Sequence, residues 1–385
     1  MITDIRKISV LYHADVVGTL QIDPSSGVCV FEYDKSWLAN GFSISPLELP
    51  LQSGLFYADK NLFGGNFAAF ENSLPDGYGL YLIDRMLKKK NSSLKELTPL
   101  QRLSIVGTAG MGALSYVPMM PGISAQKELN DSERLDYLQD EALKVLSEKE
   151  IGDETLLYYN SANSGGTRPK VTMKTQDGSR WIVKFRHVYD SPEIGREELL
   201  YMTTARKCGI DIPRIGLLRD RYFAIERFDI TKTGERLHVL TAAALLKKDF
   251  RRQDMDYTNL LALTGYLTQD PAQVEEMYRR MVMNIVAINK DDHANNFSFI
   301  CNKGKWSLAP AYDITYSPQG THGEHATSVF YDGNPNLSLV VRAGTEIHIP
   351  KESCIKIIEK VESVCAENLK KVNKLTETTK KRREP

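Results

Sequence analysis

Hydrophobic and polar positions alternate along this chain in two periods, and the switches between them divide it into blocks. Residues 1–55 read as β-rich: VLYHADVVGTLQID and VCVFEYDKSWL are two extended runs joined by the turn signal Pro24-Ser25-Ser26-Gly27. Residues 56–105 turn helical, with Ser73-Leu74-Pro75-Asp76-Gly77 as a helix start before YGLYLIDRMLKKK. LSIVGTAGMGALSYVP is strand-like again, and the polar stretch 125–150 reads as a helix or a loosely held connection. A second β-rich block covers 155–228. In it PKVTMKT and SRWIVKFR flank Asp177-Gly178 as a hairpin. A helix over Ile194–Lys207 ends near Gly209, and YFAIERFDI is a further strand.

From 235 onward helical patterns dominate. Over Pro271–Asn289, residues Val274, Met277, Tyr278, Met281, Ile285 and Ile288 form one apolar stripe, which reads as core. FSFICNKGKWSLAP then reads as strand, turn, strand. The expected fold class is α+β: a two-lobed, protein-kinase-like fold with an extra N-terminal α+β subdomain and an all-α C-lobe. The expected boundaries are 1–125 for the subdomain, 126–228 for a β-rich lobe and 229–385 for the helical lobe.

Composition narrows the class. The chain of 385 residues is 42% hydrophobic and 25% charged, with zero formal net charge. That supports real cores and gives no global attraction to nucleic acid or acidic membranes. Lys370, Lys371, Lys374, Lys380, Lys381, Arg382 and Arg383 crowd the end, where a frayed, solvated helix terminus is expected. No run is long enough to span a membrane, and MITDIRKISVLYHADVVG lacks the apolar core of a signal peptide. Five widely spaced cysteines with no CxxC argue against a disulfide framework or a zinc site and fit a cytoplasmic location.

The candidate chemistry lies in INKDDHANNFSFI, where Asp291 and Asn296 are separated by four residues. Asp-x4-Asn is the catalytic-loop spacing of protein kinases, with the aspartate as base and the asparagine on a metal. A polar turn would give this spacing by chance often, so the flanks matter. An apolar helix enters it, a hairpin leaves it, and Asp313 in LAPAYDITYS closes the hairpin as a second metal-holding group. Magnesium prefers oxygen ligands, which an amide and a carboxylate supply beside phosphate oxygens. Upstream, Lys184 sits in the apolar strand WIVKF and needs a partner. Glu198, with Glu197 as the neighbouring alternative, lies on the following helix. Ser164-Gly165-Gly166-Thr167-Arg168-Pro169-Lys170 is a glycine-rich loop whose backbone can approach phosphate, and Glu226-Arg227-Phe228 ends a strand at the lobe junction. His293 reads as part of the catalytic loop, grouped with the nucleotide-binding set. His322 and His325 flank Glu324 without a third ligand, a poor metal site.

These segments together resemble the HipA-type serine/threonine kinases, the toxins of bacterial toxin–antitoxin modules. The resemblance spans nearly the whole chain: VGTLQID, SLPDGYG and VGTAGMGALSYVP in the N-terminal part, and SGGTRPK, WIVKF, AIERFD, NKDDHANNFSF and LAPAYDIT in the kinase core. It implies Asp291 as catalytic base, Asn296 and Asp313 on Mg²⁺, and Lys184 on the phosphates of ATP with Glu198 as its pair. It places Glu226 and Phe228 near adenine. It further implies autophosphorylation of a glycine-loop serine, with Ser164 preferred and Ser161 as the alternative around Asn163. Family members pair with a small helix-turn-helix antitoxin and reach DNA mainly through it; their protein substrates include aminoacyl-tRNA synthetases. No membrane role is implied. Two other classes compete: a small-molecule kinase of the aminoglycoside or choline type, against which the N-terminal subdomain argues, and a nucleotide-binding pseudokinase scaffold, against which the full set of catalytic groups argues.

Overall fold

The computed structural model describes residues 4–376 apart from 90, 121–127, 131, 149–151, 162–164, 250 and 252–253. The N-terminal part is an antiparallel sheet of β1 (Lys7–Tyr12), β2 (Asp15–Ile22), β3 (Cys29–Tyr33), β4 (Leu55–Tyr57) and β5 (Leu114–Val117), in the order β4-β3-β2-β1-β5. Helices α1 (Lys35–Asn40), α2 (Ala68–Glu71), α3 (Gly77–Lys88) and α4 (Pro99–Val106) complete it. Phe31, Phe67, Phe70 and Tyr116 pack edge-on or tilted in its core.

Three expectations change here. The first extended run is two strands, because His13 adopts φ 55 in a two-residue turn that pairs Tyr12 with Asp15. No Gly or Asn marks that turn. KSWL is helical, since Asp34 caps it by accepting from Ser36 N at 2.8 Å. LSIV is the last turn of α4, which the Thr98–Gln101 capping box and Pro99 start and Gly107 ends.

Helices α5 (Leu135–Ser147) and α6 (Glu154–Asn160) lead into a four-stranded sheet. Its strands are β6 (Lys170–Lys174), β7 (Arg180–Lys184), β8 (Ile215–Leu218) and β9 (Tyr222–Glu226), in the order β6-β7-β9-β8. Helix α7 (Ile194–Lys207) packs on β8 and β9, and Gly209 follows it at φ 92, as the glycine stop signal requires. The polar stretch before this lobe thus resolves into α5 where it is described.

The last lobe contains β10 (His238–Thr241), α8 (Ala242–Leu245), β11 (Met255–Asp256), α9 (Tyr257–Thr268), α10 (Pro271–Val286), β12 (Ser298–Asn302), β13 (Lys305–Leu308), β14 (Thr327–Ser328), α11 (Leu337–Glu346) and α12 (Lys351–Asn368). Helix α10 packs against α9 and α12. The lobe is mainly helical but also holds a three-stranded sheet, β10-β12-β13, which corrects the all-α expectation, because the hairpin after the Asp291–Asn296 segment pairs with β10. Beyond α12 the chain turns back onto the lobe: Asn373 N donates to Val286 O at 2.8 Å and Leu375 is buried. The frayed helix terminus expected there is therefore corrected up to Thr376; Lys380, Lys381, Arg382 and Arg383 lie outside the described residues. All five cysteines are buried free thiols.

The N-terminal part touches the rest at several points that frame the cleft. Asn72 Oδ1 accepts from Thr241 N at 2.9 Å and its Nδ2 donates to Val239 O at 3.1 Å. Gly112 N donates to Asp229, which is itself buried in a two-bond pair with Arg227.

Candidate active site

Strands β6 and β7 pair so that Lys170 stands opposite Lys184, which directs both side chains to one face of the sheet. That face opens on a cleft of about 560 Å³ between the lobes, bordered by the N-terminal part. Lys184 Nζ lies 2.6 Å from Glu198 Oε1 and also bonds Asp313. The inward position on α7 belongs to Glu198, 2% exposed, rather than to Glu197. Burial opposes charge on Lys184, yet Asp313 and Glu198 raise its pKa above that of an ordinary lysine. Burial wins at Glu198, whose pKa rises despite Lys184. At Asp313 burial loses: Lys184, Lys170 and Arg168 hold the carboxyl well below the usual aspartate range. Lys170 is pushed down to about 8, by burial first and by repulsion from Lys184 second.

Asp313 reaches this cluster from the far side of the cleft at φ 56, a left-handed conformation that aspartate tolerates better than most residues. Its segment is braced from below. Arg280, 3% exposed, donates to Ala309 O at 2.9 Å, and Tyr312 OH donates to Asn295 O at 2.6 Å. Tyr312 also stacks on Phe228, ring centroids 5.7 Å apart. Phe228 and Tyr312 together thus form an aromatic wall of the cleft.

The catalytic-loop candidate follows α10. Asn296 Nδ2 donates to Asp291 O at 2.7 Å, which commits its nitrogen to the loop and leaves the carboxamide oxygen as the group for a cation. Asp291 keeps its side chain 64% exposed to the cleft, with His293 Nε2 at 3.9 Å. Partial desolvation and the nearby carboxylates Asp313 and Asp292 still raise its pKa, although His293 opposes them.

Asp292, next in sequence, is fully buried and points the other way. It accepts from Tyr257 OH at 2.7 Å and lies 2.9 Å from His325 Nδ1. Asn284 donates to Tyr257 OH at 2.9 Å, and Asn289 donates to Asn284 Oδ1 at 2.9 Å, so the loop rests on a buried polar network. His325 is thus a support of the catalytic loop, a role its spacing from His322 concealed.

The glycine-rich loop reaches the cleft with Gly165 and Gly166. Lys170 Nζ donates to Gly165 O, and Asp76 of the N-terminal part accepts from Gly166 N. Arg168 pairs with Asp190 at 2.9 and 3.2 Å. Glu226 borders the cleft, but its carboxylate is held by Arg214 at 2.6 and 2.7 Å and its backbone N–H donates to Arg214 O at 2.8 Å. Ser164 lies outside the described residues. Ser161 is 1% exposed and donates to Tyr158 O at 2.9 Å, which withdraws its hydroxyl from the surface.

One cleft thus gathers Lys184, Asp313, Asp291, His293, Asn296, Gly165, Gly166, Glu226 and Phe228, with Glu198 buried behind Lys184. Sequence reading gave no role in this cleft to Asp76, to Tyr312 or to the side chains of Arg168 and Lys170, and none to His325 beneath the loop. Only Lys170 carried a signal: it and Lys184 are equidistant from Asp177 in the hairpin turn, which predicts their pairing.

Comparison with known proteins gives a consistent picture. A family described as the HipA N-terminal domain matches residues 8–117, and one described as the HipA-like C-terminal domain matches residues 162–369, more than half of the chain. HipA from Shewanella oneidensis MR-1, solved in a complex with HipB and its operator DNA, superposes with a TM-score of 0.69 at 18% identity, covering 97% of this chain and 93% of that one. A Haemophilus influenzae protein named "Putative kinase" is 28% identical over 146 residues, which span 33% of this chain and 43% of that protein. The described residues contain no helix long and apolar enough to cross a membrane.

Proposed function

This chain belongs to the HipA family, and from that premise we propose that it is an ATP- and magnesium-dependent serine/threonine protein kinase, the toxin of a toxin–antitoxin pair. The observation that carries the reading is the charge arrangement of the cleft. A buried Lys184–Glu198 pair faces an ionised Asp313, and Asp291 stands apart as an exposed carboxylate with a raised pKa. Two carboxylates whose environments drive them in opposite directions are suited to different roles.

In this reading Lys184 holds the nucleotide phosphates and Glu198 fixes its ammonium. Asn296 and Asp313 offer two oxygen donors, the set that suits a magnesium ion completing its shell with phosphate oxygens and water. When bound, that ion supplies neutralisation of charge on the phosphates. Asp291 accepts the proton of the attacking serine or threonine hydroxyl. The hydroxyl oxygen forms the new bond to the γ-phosphorus, and the bond to the β-bridging oxygen breaks to release ADP. Phe228 and Tyr312 supply an apolar wall for adenine, next to Glu226 at the edge of the cleft.

The proposal extends to partners. The Shewanella HipA relative is held with HipB on operator DNA, which supports a HipB-like antitoxin here, with DNA reached mainly through it. An aminoacyl-tRNA synthetase is the proposed class of protein substrate. Autophosphorylation is proposed at Ser164; the burial of Ser161 disfavours the alternative. The test is incubation with ATP and Mg²⁺, with intact-mass measurement and phosphosite mapping. Phosphate on this chain or on an added protein is expected. Transfer only to an added aminoglycoside or choline would establish a small-molecule kinase instead, and nucleotide binding without any transfer would leave a scaffold.

A further inference from the structure

We infer that the turn Asp76–Tyr78 of the N-terminal part is a clasp that holds the glycine-rich loop over the cleft, and that Asp76 is a positioning residue for phosphate binding. The nucleotide half of this inference rests on the kinase reading; the clasp itself rests on geometry alone.

Asp76 stands at the N-cap of α3, where an aspartate ordinarily accepts from its own helix, yet it makes no such bond. Its carboxylate instead accepts from Gly166 N, ninety residues away in sequence. Tyr78 N donates to Gly166 O at 3.1 Å, so both backbone groups of Gly166 are taken by this one turn. Lys170 Nζ holds the carbonyl of the preceding Gly165. The loop is therefore tied at adjacent peptides, from β6 on one side and from the N-terminal part on the other.

The glycines are required by this contact. Gly77 has φ +42, and a Cβ there would collide with the Gly166 carbonyl, lying 2.7 Å from its carbon. A Cβ at Gly165 would lie 2.8 Å from Asp76 Oδ2. Gly166 itself has φ +100, a conformation that side chains rarely adopt. A loop fixed in this way has already lost the conformational entropy that phosphate binding would otherwise cost. A docking contact between two parts of the chain thus becomes a means of ordering the nucleotide site.

Amide hydrogen exchange of residues 165–168 without nucleotide tests the clasp. Asp76→Ala is expected to speed exchange there by about tenfold or more, the size expected for losing a charge-assisted hydrogen bond, with β1 and α4 unchanged. Asp76→Asn keeps an accepting oxygen, guards against misfolding, and should restore most of the protection. Equal exchange in wild type and Asp76→Ala overturns the clasp. Binding then tests positioning: Asp76→Ala should weaken ATP by about tenfold and leave adenosine unchanged. Equal weakening of both would reduce Asp76 to a structural contact, and tighter ATP would show a carboxylate that excludes phosphate; either result overturns the positioning role. Wild-type protein that binds neither ligand would defeat the kinase reading, while the exchange result would still decide the clasp.

Discussion

Asp291 and Asp313 share one cleft, and the groups that dominate around them differ. Asp313 sits among Lys184, Lys170 and Arg168 and is held ionised far below the usual range. Asp291 faces solvent and is pushed up by desolvation and by other carboxylates, against the opposing pull of His293 and Arg168. Identical side chains are thereby given opposite proton affinities, which suits them, in the proposed kinase reading, to opposite tasks: one to stay charged and hold cations, the other to take up a proton. The difference arises from what each backbone segment packs against. Asp313 is turned inward at φ 56 on a segment braced by Arg280 and Tyr312. Asp291 is presented outward because its neighbour Asp292 is anchored inward.

The strongest test removes the proton acceptor. Asp291→Asn should lower turnover by about 10³-fold, the range for general-base loss, while MgATP affinity stays within about twofold by the same reasoning. Turnover near wild type would end the assignment of Asp291 as base. The next test removes Lys184, the first of the cations that hold Asp313 ionised. Lys184→Met strands Glu198 in the interior, and loss of one partner of a buried pair costs about 3–5 kcal/mol; urea unfolding measures it. Adding Glu198→Leu should recover part of that loss, because the stranded carboxylate is gone. If the double variant is no more stable than the single one, the pair is not the source of the cost.

A smaller effect is expected from Asp313→Ala. MgATP affinity should fall about ten- to a hundredfold, the equivalent of one lost charged contact, and calorimetric titration reads it directly. Unchanged affinity would contradict a metal-holding role. His325→Ala, which removes one support of Asp292, should lower kcat by about tenfold through misplacement of the loop and spare nucleotide affinity. A change in affinity without a change in kcat would place the network's influence elsewhere.

The pH dependence separates the two carboxylates by sign. As the proposed base, Asp291 would work only when ionised. Its folded pKa is raised, so activity should fall on acidification with a midpoint above the ordinary aspartate value of 3.8. Asp313 has a depressed folded pKa. Its contribution to stability is present above the unfolded value and disappears only as pH falls through the folded one. Activity should therefore be lost at higher pH than the stability that Asp313 supplies, and coincident loss of both would show that unfolding explains the acid limb.

The clasp around Gly166 and the Lys184 cluster also differ in how far they could be read in advance. WIVKF predicts a strand lysine in need of a partner, and the following helix offers Glu198 or Glu197, between which the fold chooses by burying Glu198. The hairpin SFICN-to-KWSL returns the chain so that Asp313 closes it. Each of these follows from turn chemistry and periodicity within a few dozen residues. SLPDG announced a helix start, and a helix does begin there, but nothing local tells that Asp76 forgoes its own helix for Gly166.

The sequence by itself determined the order of strands and helices in the kinase-like core, the hairpins that carry Lys184 and lead to Asp313, and the Asp291-x4-Asn296 loop, because these depend on residues close along the chain. Tertiary structure decided that His325 supports Asp292, that Tyr312 joins Phe228, and that Asp76 closes on the glycine-rich loop. It also set the opposite proton affinities of Asp291 and Asp313. Those outcomes depend on which charges and dipoles meet across the cleft, and such contacts between distant segments exist only once the chain has packed.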